Sequence, residues 1–168
     1  WILKEAYDKD KNGNFTKKGG WHLNKLLSSK TNKGNYKSKT FFNINKTMNF
    51  VFNPLTVEDV AILNVNNKSA TSKSNNTDLK KHFEKRKNEL EYRIKVINPD
   101  IIIFGGTSHF FEEIWNSNRI KKTNECNYFY KLVKNKNVLC IAVYHPSHTK
   151  FVETCITEIN NLITSLNL

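Results

Sequence analysis

The sequence predicts an α/β fold: a parallel sheet with helices packed on both of its faces. Two observations carry that prediction. Short apolar, β-branched runs recur along the chain, as Val60 to Val65 (VAILNV), Ile101 to Phe104 (IIIF) and Val138 to Val143 (VLCIAV), and runs of that length and composition suit strands buried on both faces. Segments with helical apolar spacing alternate with them, as strand–helix–strand units require.

In chain order, Trp1-Ile2-Leu3 reads as the end of a first strand, followed by a polar, glycine-containing loop from Lys4 to Gly20. Trp21 to Leu27 places apolar residues at 21, 23, 26 and 27, a helical spacing, and Ser28 to Thr40 is a polar, basic loop. Thr40 to Phe52 fits a helix or a partly extended segment. After the strand at 60–65, Asn66 to Asn76 is a low-complexity polar loop, and Thr77-Asp78 can cap a charged helix over Leu79 to Ile97. Asn98-Pro99-Asp100 stops that helix. Gly105-Gly106-Thr107-Ser108 then turns the strand at 101–104 into a helix through Phe110, Phe111, Ile114 and Trp115. The last strand, at 138–143, leads through Tyr144 to His148 into a terminal amphipathic helix, Phe151 to Leu166. The expected architecture is three-layer α/β/α around a central four-stranded parallel sheet, as one domain spanning 1–168. The chain begins at Trp1, so missing upstream residues are also expected.

The 168 residues are 38% hydrophobic and 12% aromatic, enough for a real core. No apolar run approaches the roughly 20 residues of a membrane span. Lys plus Arg is 27 against 15 for Asp plus Glu, a net charge of +12 that suits a polyanionic partner, nucleic acid first. Yet 24 of those 27 are Lys and Asn occurs 25 times, as AT-rich codon usage would also give. Cys126, Cys140 and Cys155 show no metal-ligand spacing and read as buried thiols.

Ligands of such sheets sit beyond the carboxyl ends of the strands. That rule selects four loops: 4–20, 64–76, 105–109 and 144–150. They hold His145, placed by the following Pro146 as a donor for developing negative charge. They also hold the carboxylates Glu5, Asp8 and Asp10, the aromatic Phe15, and Asn64, whose amide both donates and accepts as reading a base edge requires. Each also has a plain reading: a loop His capping a carbonyl, a solvated acidic loop, an Asn in a turn. Phosphate-loop and dinucleotide fingerprints and a nucleophile elbow are absent from the sequence.

Taken in order, these motifs resemble the uracil-DNA glycosylase superfamily, most of all the small bacterial and archaeal branch numbered family 4. The matching segments are Glu5-Ala6 after the first strand, Gly13-Asn14-Phe15, then Gly20 and Leu26-Leu27. Ile62-Leu63-Asn64-Val65 with its polar loop follows, then Ile94 to Gly106, and finally Tyr144-His145-Pro146 with Ser147. The resemblance implies a uracil-DNA glycosylase-like fold and hydrolysis of the N-glycosidic bond of uracil or another modified base, flipped out of DNA. His145 would stabilise the departing base anion, Phe15 would stack on the base, and Asn64 would read its pairing edge. Glu5 would sit near the water or the sugar cation, Ala6 and Tyr7 would line the pocket, and Tyr7 could occlude a 5-methyl group. Pro146, Ser147 and His148 would enter the DNA, with Lys4, Lys68 and Lys150 on its phosphates. The implied partner is single- or double-stranded DNA, bound by a monomer in a cytoplasmic, nucleoid-associated setting, without a membrane. The branch holds an iron–sulfur cluster on four Cys; the three Cys here lie elsewhere, so no cofactor and no metal is expected. Lys4 and Tyr7-Asp8 replace the branch's Gly and Pro-Gly, and this motivates the alternative of a non-catalytic member that binds nucleic acid or a nucleotide. The charges of helix 79–97 read as a solvated face.

Overall fold

The computed structural model describes residues 1–5, 38–66, 76–115, 121–122 and 126–168. The expected helix at 21–27, the loops around it and most of the loop 64–76 lie outside these residues.

The elements follow in order: β1 (Ile2–Glu5), α1 (Lys39–Val51), a 3-10 turn (Val57–Asp59), β2 (Leu63–Asn66), α2 (Asn76–Ile97), β3 (Ile101–Gly105), α3 (Ser108–Trp115), β4 (Lys121–Lys122), β5 (Asn127–Val133), β6 (Lys136–Val143), a π turn (Phe151–Cys155) and α4 (Ile156–Ser165). The sheet has six strands in the order β2-β1-β3-β6-β5-β4. β2, β1, β3 and β6 are mutually parallel, and β5 and β4 are antiparallel additions beyond β6. The expected four parallel strands are therefore present, but the all-parallel sheet of four is corrected to a mixed sheet of six. The reason is a hairpin that leaves little trace in the sequence. β5 and β6 are joined by Lys134 and Asn135, both at positive φ (47° and 64°). That is the two-residue, left-handed turn whose twist matches the flanking strands. It is usually signalled by Asn-Gly or Asp-Gly, and Lys-Asn does not announce it.

Strand alternation divides the core between the two faces. Leu3, Ile103, Leu139, Ile141 and Val143 point to one face, where α1 (Phe41, Ile44, Met48) and α4 (Ile159, Leu162, Ile163) cover them. Ile2, Val65, Ile102, Phe104, Val138 and Cys140 point to the other, covered by α2 (Leu79, Phe83, Leu90, Ile94) and α3 (Phe110, Phe111, Trp115). α1 is helical throughout rather than partly extended because Phe41, Ile44 and Met48 fall on one stripe. Six phenylalanines are almost wholly buried: Phe41, Phe83, Phe104, Phe111, Phe129 and Phe151. Each contributes about 1.5–3 kcal/mol of burial.

Boundaries moved at three places. β2 begins at Leu63, not at 60, because Val60 follows directly on the 3-10 turn, whose N-cap Thr56 and Asp59 form a capping box. α2 begins at Asn76, so Thr77 and Asp78 lie inside its first turn; there Asp78 complements the helix dipole instead of capping it. The terminal segment opens as a π turn over Phe151–Cys155 before becoming α-helical. No described helix is long and apolar enough to cross a membrane.

Candidate functional site

Strand register lines up one row at the carboxyl end of the sheet: Asn64 on β2 beside Leu3 on β1, Leu3 beside Gly105 on β3, Gly105 beside Val143 on β6. Residues in register on parallel strands face the same way. Leu3 and Val143 belong to the α1–α4 face, so Asn64 faces it too. Three strand spacings separate β2 from β6, or ~14 Å between Asn64 and the end of β6. Asn64 and His145 thus stand at the same end of the sheet, on strands separated by β1 and β3.

The floor between them is held rigidly. A Cβ on Gly105 would lie 2.8 Å from Leu3 Cδ2 and 2.9 Å from Pro146 Cδ, so only glycine lets the chain after β6 settle this close to β1. Gly106, at φ 70°, donates its N–H to Val143 O at 2.8 Å and extends the β3–β6 ladder by one bond. The buried Thr107 hydroxyl donates to Ile2 O at 2.8 Å and ties the β3–α3 turn to β1.

The loop after β6 is organised around its two histidines. The Ser147 N–H donates to His145 Nδ1 at 3.2 Å, and Ser147 Oγ lies 2.8 Å from the same nitrogen. A backbone N–H can only donate, so Nδ1 is the acceptor. In the neutral ring the proton then sits on Nε2, which becomes a fixed hydrogen-bond donor. The His148 N–H donates to His145 O at 2.7 Å, and the Lys150 N–H donates to His148 Nδ1 at 3.3 Å. Tyr144 stacks on His148 with centroids 4.8 Å apart and planes 15° from parallel. Behind the loop, the buried side chain of Asn43 on α1 donates through Nδ2 to Pro146 O, while Thr47 Oγ1 donates to Asn43 O at 2.8 Å. The π turn follows immediately, with the Thr154 hydroxyl donating to Lys150 O at 2.6 Å. Such departures from α-helical pitch are frequent beside functional loops.

On the β2 side, Arg86 of α2 donates through Nη1 to Asn64 O and Val65 O, both at 3.0 Å. Glu89 holds that guanidinium from behind at 3.0 and 3.2 Å. The Arg86 hydrogen bond holds the Glu89 carboxyl below its ordinary pKa, and the charges of Arg86 and Arg93 act in the same direction. Asn64 Oδ1 is buried and finds no hydrogen-bond partner among the described residues. Such an oxygen costs about 1–3 kcal/mol unless something donates to it. Trp1 Nε1 and Asn127 Oδ1 are in the same condition elsewhere, so the register row, not the orphaned oxygen alone, ties Asn64 to this rim.

Of the residues singled out in the sequence, the structure brings Asn64, His145, Pro146, Ser147, His148 and Lys150 to one end of the sheet. Pro146 is buried against Gly105, whereas Ser147, His148 and Lys150 are exposed. Lys4 and Glu5 end β1 next to this row, with Glu5 in register with Asn66. Their side chains, and Ala6, Tyr7, Phe15 and Lys68, lie outside the described residues. Sequence reading passed over Asn43, Arg86 and Gly105. An Asn inside a helix and an Arg in a charge-dense helix carry no signal of their own in a chain so rich in Asn and Lys.

Among the described residues, no three His, Cys, Asp or Glu side chains converge as a metal ion requires. The three thiols are buried, and burial pushes Cys140 up to about 12, far from a reactive thiolate. An apolar recess of about 400 Å³ lies at the opposite, amino end of the strands, between Trp1, Met48, Phe52, Leu55, Ile97 and Ile101. It holds none of the residues that the sequence singled out. A comparison with protein-family models finds no match for this chain, and a comparison with curated proteins finds none either.

Proposed function

We propose that the chain is a DNA glycosylase-like protein that holds a flipped uracil, or another modified base, between Asn64 and His145 and hydrolyses its N-glycosidic bond. The observation that carries this reading is the hydrogen bond from the Ser147 N–H to His145 Nδ1, which in the neutral ring leaves the proton on Nε2, at the carboxyl end of β6. Departure of the base puts negative charge on its ring and positive charge on the sugar. A donor aimed at the base oxygen favours that separation without itself losing a proton, and such a donor supplies about 3–4 kcal/mol. Water then adds to the sugar carbon, with Glu5, at the end of β1, as the group that orients it. The Asn64 amide lies on the row that faces the same side and would satisfy its buried oxygen on a base N–H. In this reading Pro146 serves through its buried ring and carbonyl, while Ser147, His148 and Lys150 meet the DNA. The fold expected with this activity, uracil-DNA glycosylase-like, belongs to the same proposal, as do DNA as partner and a monomer as the working unit.

The test is direct. The protein is incubated with single- and double-stranded DNA carrying uracil, hypoxanthine, xanthine or hydroxymethyluracil, and abasic sites are then cut with alkali. Strand cleavage at one of these bases, lost in His145→Ala, is the expected result. Salt-dependent DNA binding without any base release would replace this reading by a non-catalytic binding protein. Absence of binding at low salt would overturn both.

A further inference from the structure

A second site lies outside the pocket, on the opposite face of the sheet but at the same carboxyl end. The first half of α2 and the start of α3 enclose an open groove of about 630 Å³, with Lys80, Lys81, Lys85 and His109 on its walls and Phe110 at its base. We propose that this groove is a track for the phosphate backbone of DNA running past the base pocket, a part of the binding surface that neither the motifs nor the resemblance assigns.

Three features support it. Lys81 and Lys85 are exposed and four residues apart, so they stand one above the other on one helix face. Their separation is about 6 Å along the axis, against one phosphate per about 3.4 Å of strand, so the pair spans about two phosphates. Glu84, the acidic residue between them, is engaged by Lys87 at 2.9 Å, so the wall keeps its positive sign. The base of the groove is rigid: Phe110 stacks on Phe83 with centroids 5.4 Å apart and planes 25° from parallel, and Phe83 meets Phe111 edge-on at 4.9 Å. His109 lies over Phe110 with centroids 4.0 Å apart, so its ring stands at the rim of the groove.

The groove is open, with point charges rather than a converging set of donors. That suits a long polyanion better than a small phosphorylated molecule, and contacts of this kind position a nucleic acid without reading its sequence. The groove opens at the same end of the sheet as the row of Asn64 and Gly105. Thr107, whose hydroxyl is fixed to Ile2 O, sits just before α3, so one turn of backbone separates the groove from the row of Asn64 and Gly105. The charges of α2 are thus not all a solvated face.

The inference rests on DNA being the partner, and the experiment separates the two. Binding of a fluorescent oligonucleotide is measured across a salt series for the wild type, for Lys81→Ala with Lys85→Ala, and for Lys95→Ala near the far end of α2 as a control away from the groove. Circular dichroism verifies the fold of each. Loss of two phosphate contacts should flatten the plot of log affinity against log salt by about 1.8 on duplex or about 1.4 on single strands. The Lys95→Ala slope should equal that of the wild type. A double variant that binds with the wild-type slope overturns the groove and leaves the proposed function standing. A wild type that does not bind DNA at low salt overturns both.

Discussion

At the amino ends of β1, β2 and β3 the chain leaves a recess of about 400 Å³ walled by Trp1, Met48, Phe52, Leu55, Ile97 and Ile101. At the carboxyl ends of β2, β3 and β6 it places a glycine pair, two histidines, a serine and an asparagine, tied down by hydrogen bonds from buried Asn43 and Thr107. The first end has the more enclosed apolar space, and the second has the chemistry. The carboxylates near the first end are already committed, since Asp59 closes the capping box on Thr56 and Asp100 is bound by Lys136 at 3.0 Å. A cavity becomes a site through preorganised polar groups, and those are held only where the chain crosses from strands to loops above a rigid floor.

The sharpest way to break this contrast is at His145. Loss of its imidazole in His145→Ala should lower base release by about 10²–10³, as removal of one oxyanion donor does elsewhere. Oligonucleotide affinity should stay within a few-fold, since under the proposed function many contacts would hold the DNA. Single-turnover cleavage with a parallel binding titration reads both. Equal loss of binding and release would show that the imidazole holds the loop rather than the leaving base.

Next in size is Gly105→Ala. The new Cβ would fall 2.8 Å from Leu3 and 2.9 Å from Pro146, both packed in place. Overpacking of that kind costs about 1–3 kcal/mol, read as a lower urea midpoint, and it should push the loop at 144–150 away from β1. Leu55→Ala at the other end, where Leu55 is 42% exposed, should cost under about 1 kcal/mol and leave the loop alone. A midpoint for Gly105→Ala equal to the wild type would mean that the floor yields and the two ends are less different than they look.

Asn43→Ala tests the support behind the loop. It removes the donor to Pro146 O and leaves that buried carbonyl without it, at a cost of about 1–3 kcal/mol. Base release should fall with it, because His145 is aimed by the backbone that Asn43 holds. Asn43→Asp keeps the size but has no N–H to give and should not rescue.

Much of this arrangement was legible. The apolar runs IIIF and VLCIAV mark two central strands, and the rule of strand ends points to 144–150. What a linear pattern cannot carry is strand order. Asn64 and His145 come together only because β1 and β3 lie between β2 and β6. The β5–β6 hairpin stayed hidden because Lys-Asn is an unusual pair for its turn. Gly105 reads as ordinary punctuation until Leu3 and Pro146 are seen against it, since nothing local requires glycine there. Asn43 and Arg86 were invisible for a compositional reason: abundant Asn and charge mask the few such residues that point inward.

The smallest expected effect compares two carboxylates, one at each end. Backbone and hydroxyl hydrogen bonds from Thr56 hold Asp59 below its ordinary value at the amino end, and Arg86 does the same for Glu89 beside β2. For both, the folded state favours the charged form. Their contribution is therefore complete above the unfolded values of 3.8 and 4.5 and is lost as pH falls through the lower folded values. Glu89 is exposed enough that its pair with Arg86 contributes under about 1 kcal/mol. Urea midpoints of the wild type and Glu89→Gln should differ slightly at pH 6–7 and converge as pH falls from 4.5 through the lower folded value, where Glu89 of the wild type becomes neutral. The variant should also loosen Arg86 from Asn64 O and Val65 O, so its DNA cleavage should weaken with that small change, whereas Asp59→Asn should lower stability with no effect on cleavage. Equal effects of the two on cleavage would mean that the Arg86 clamp does nothing particular for Asn64, and that the carboxyl end owes its order to the β6 loop alone.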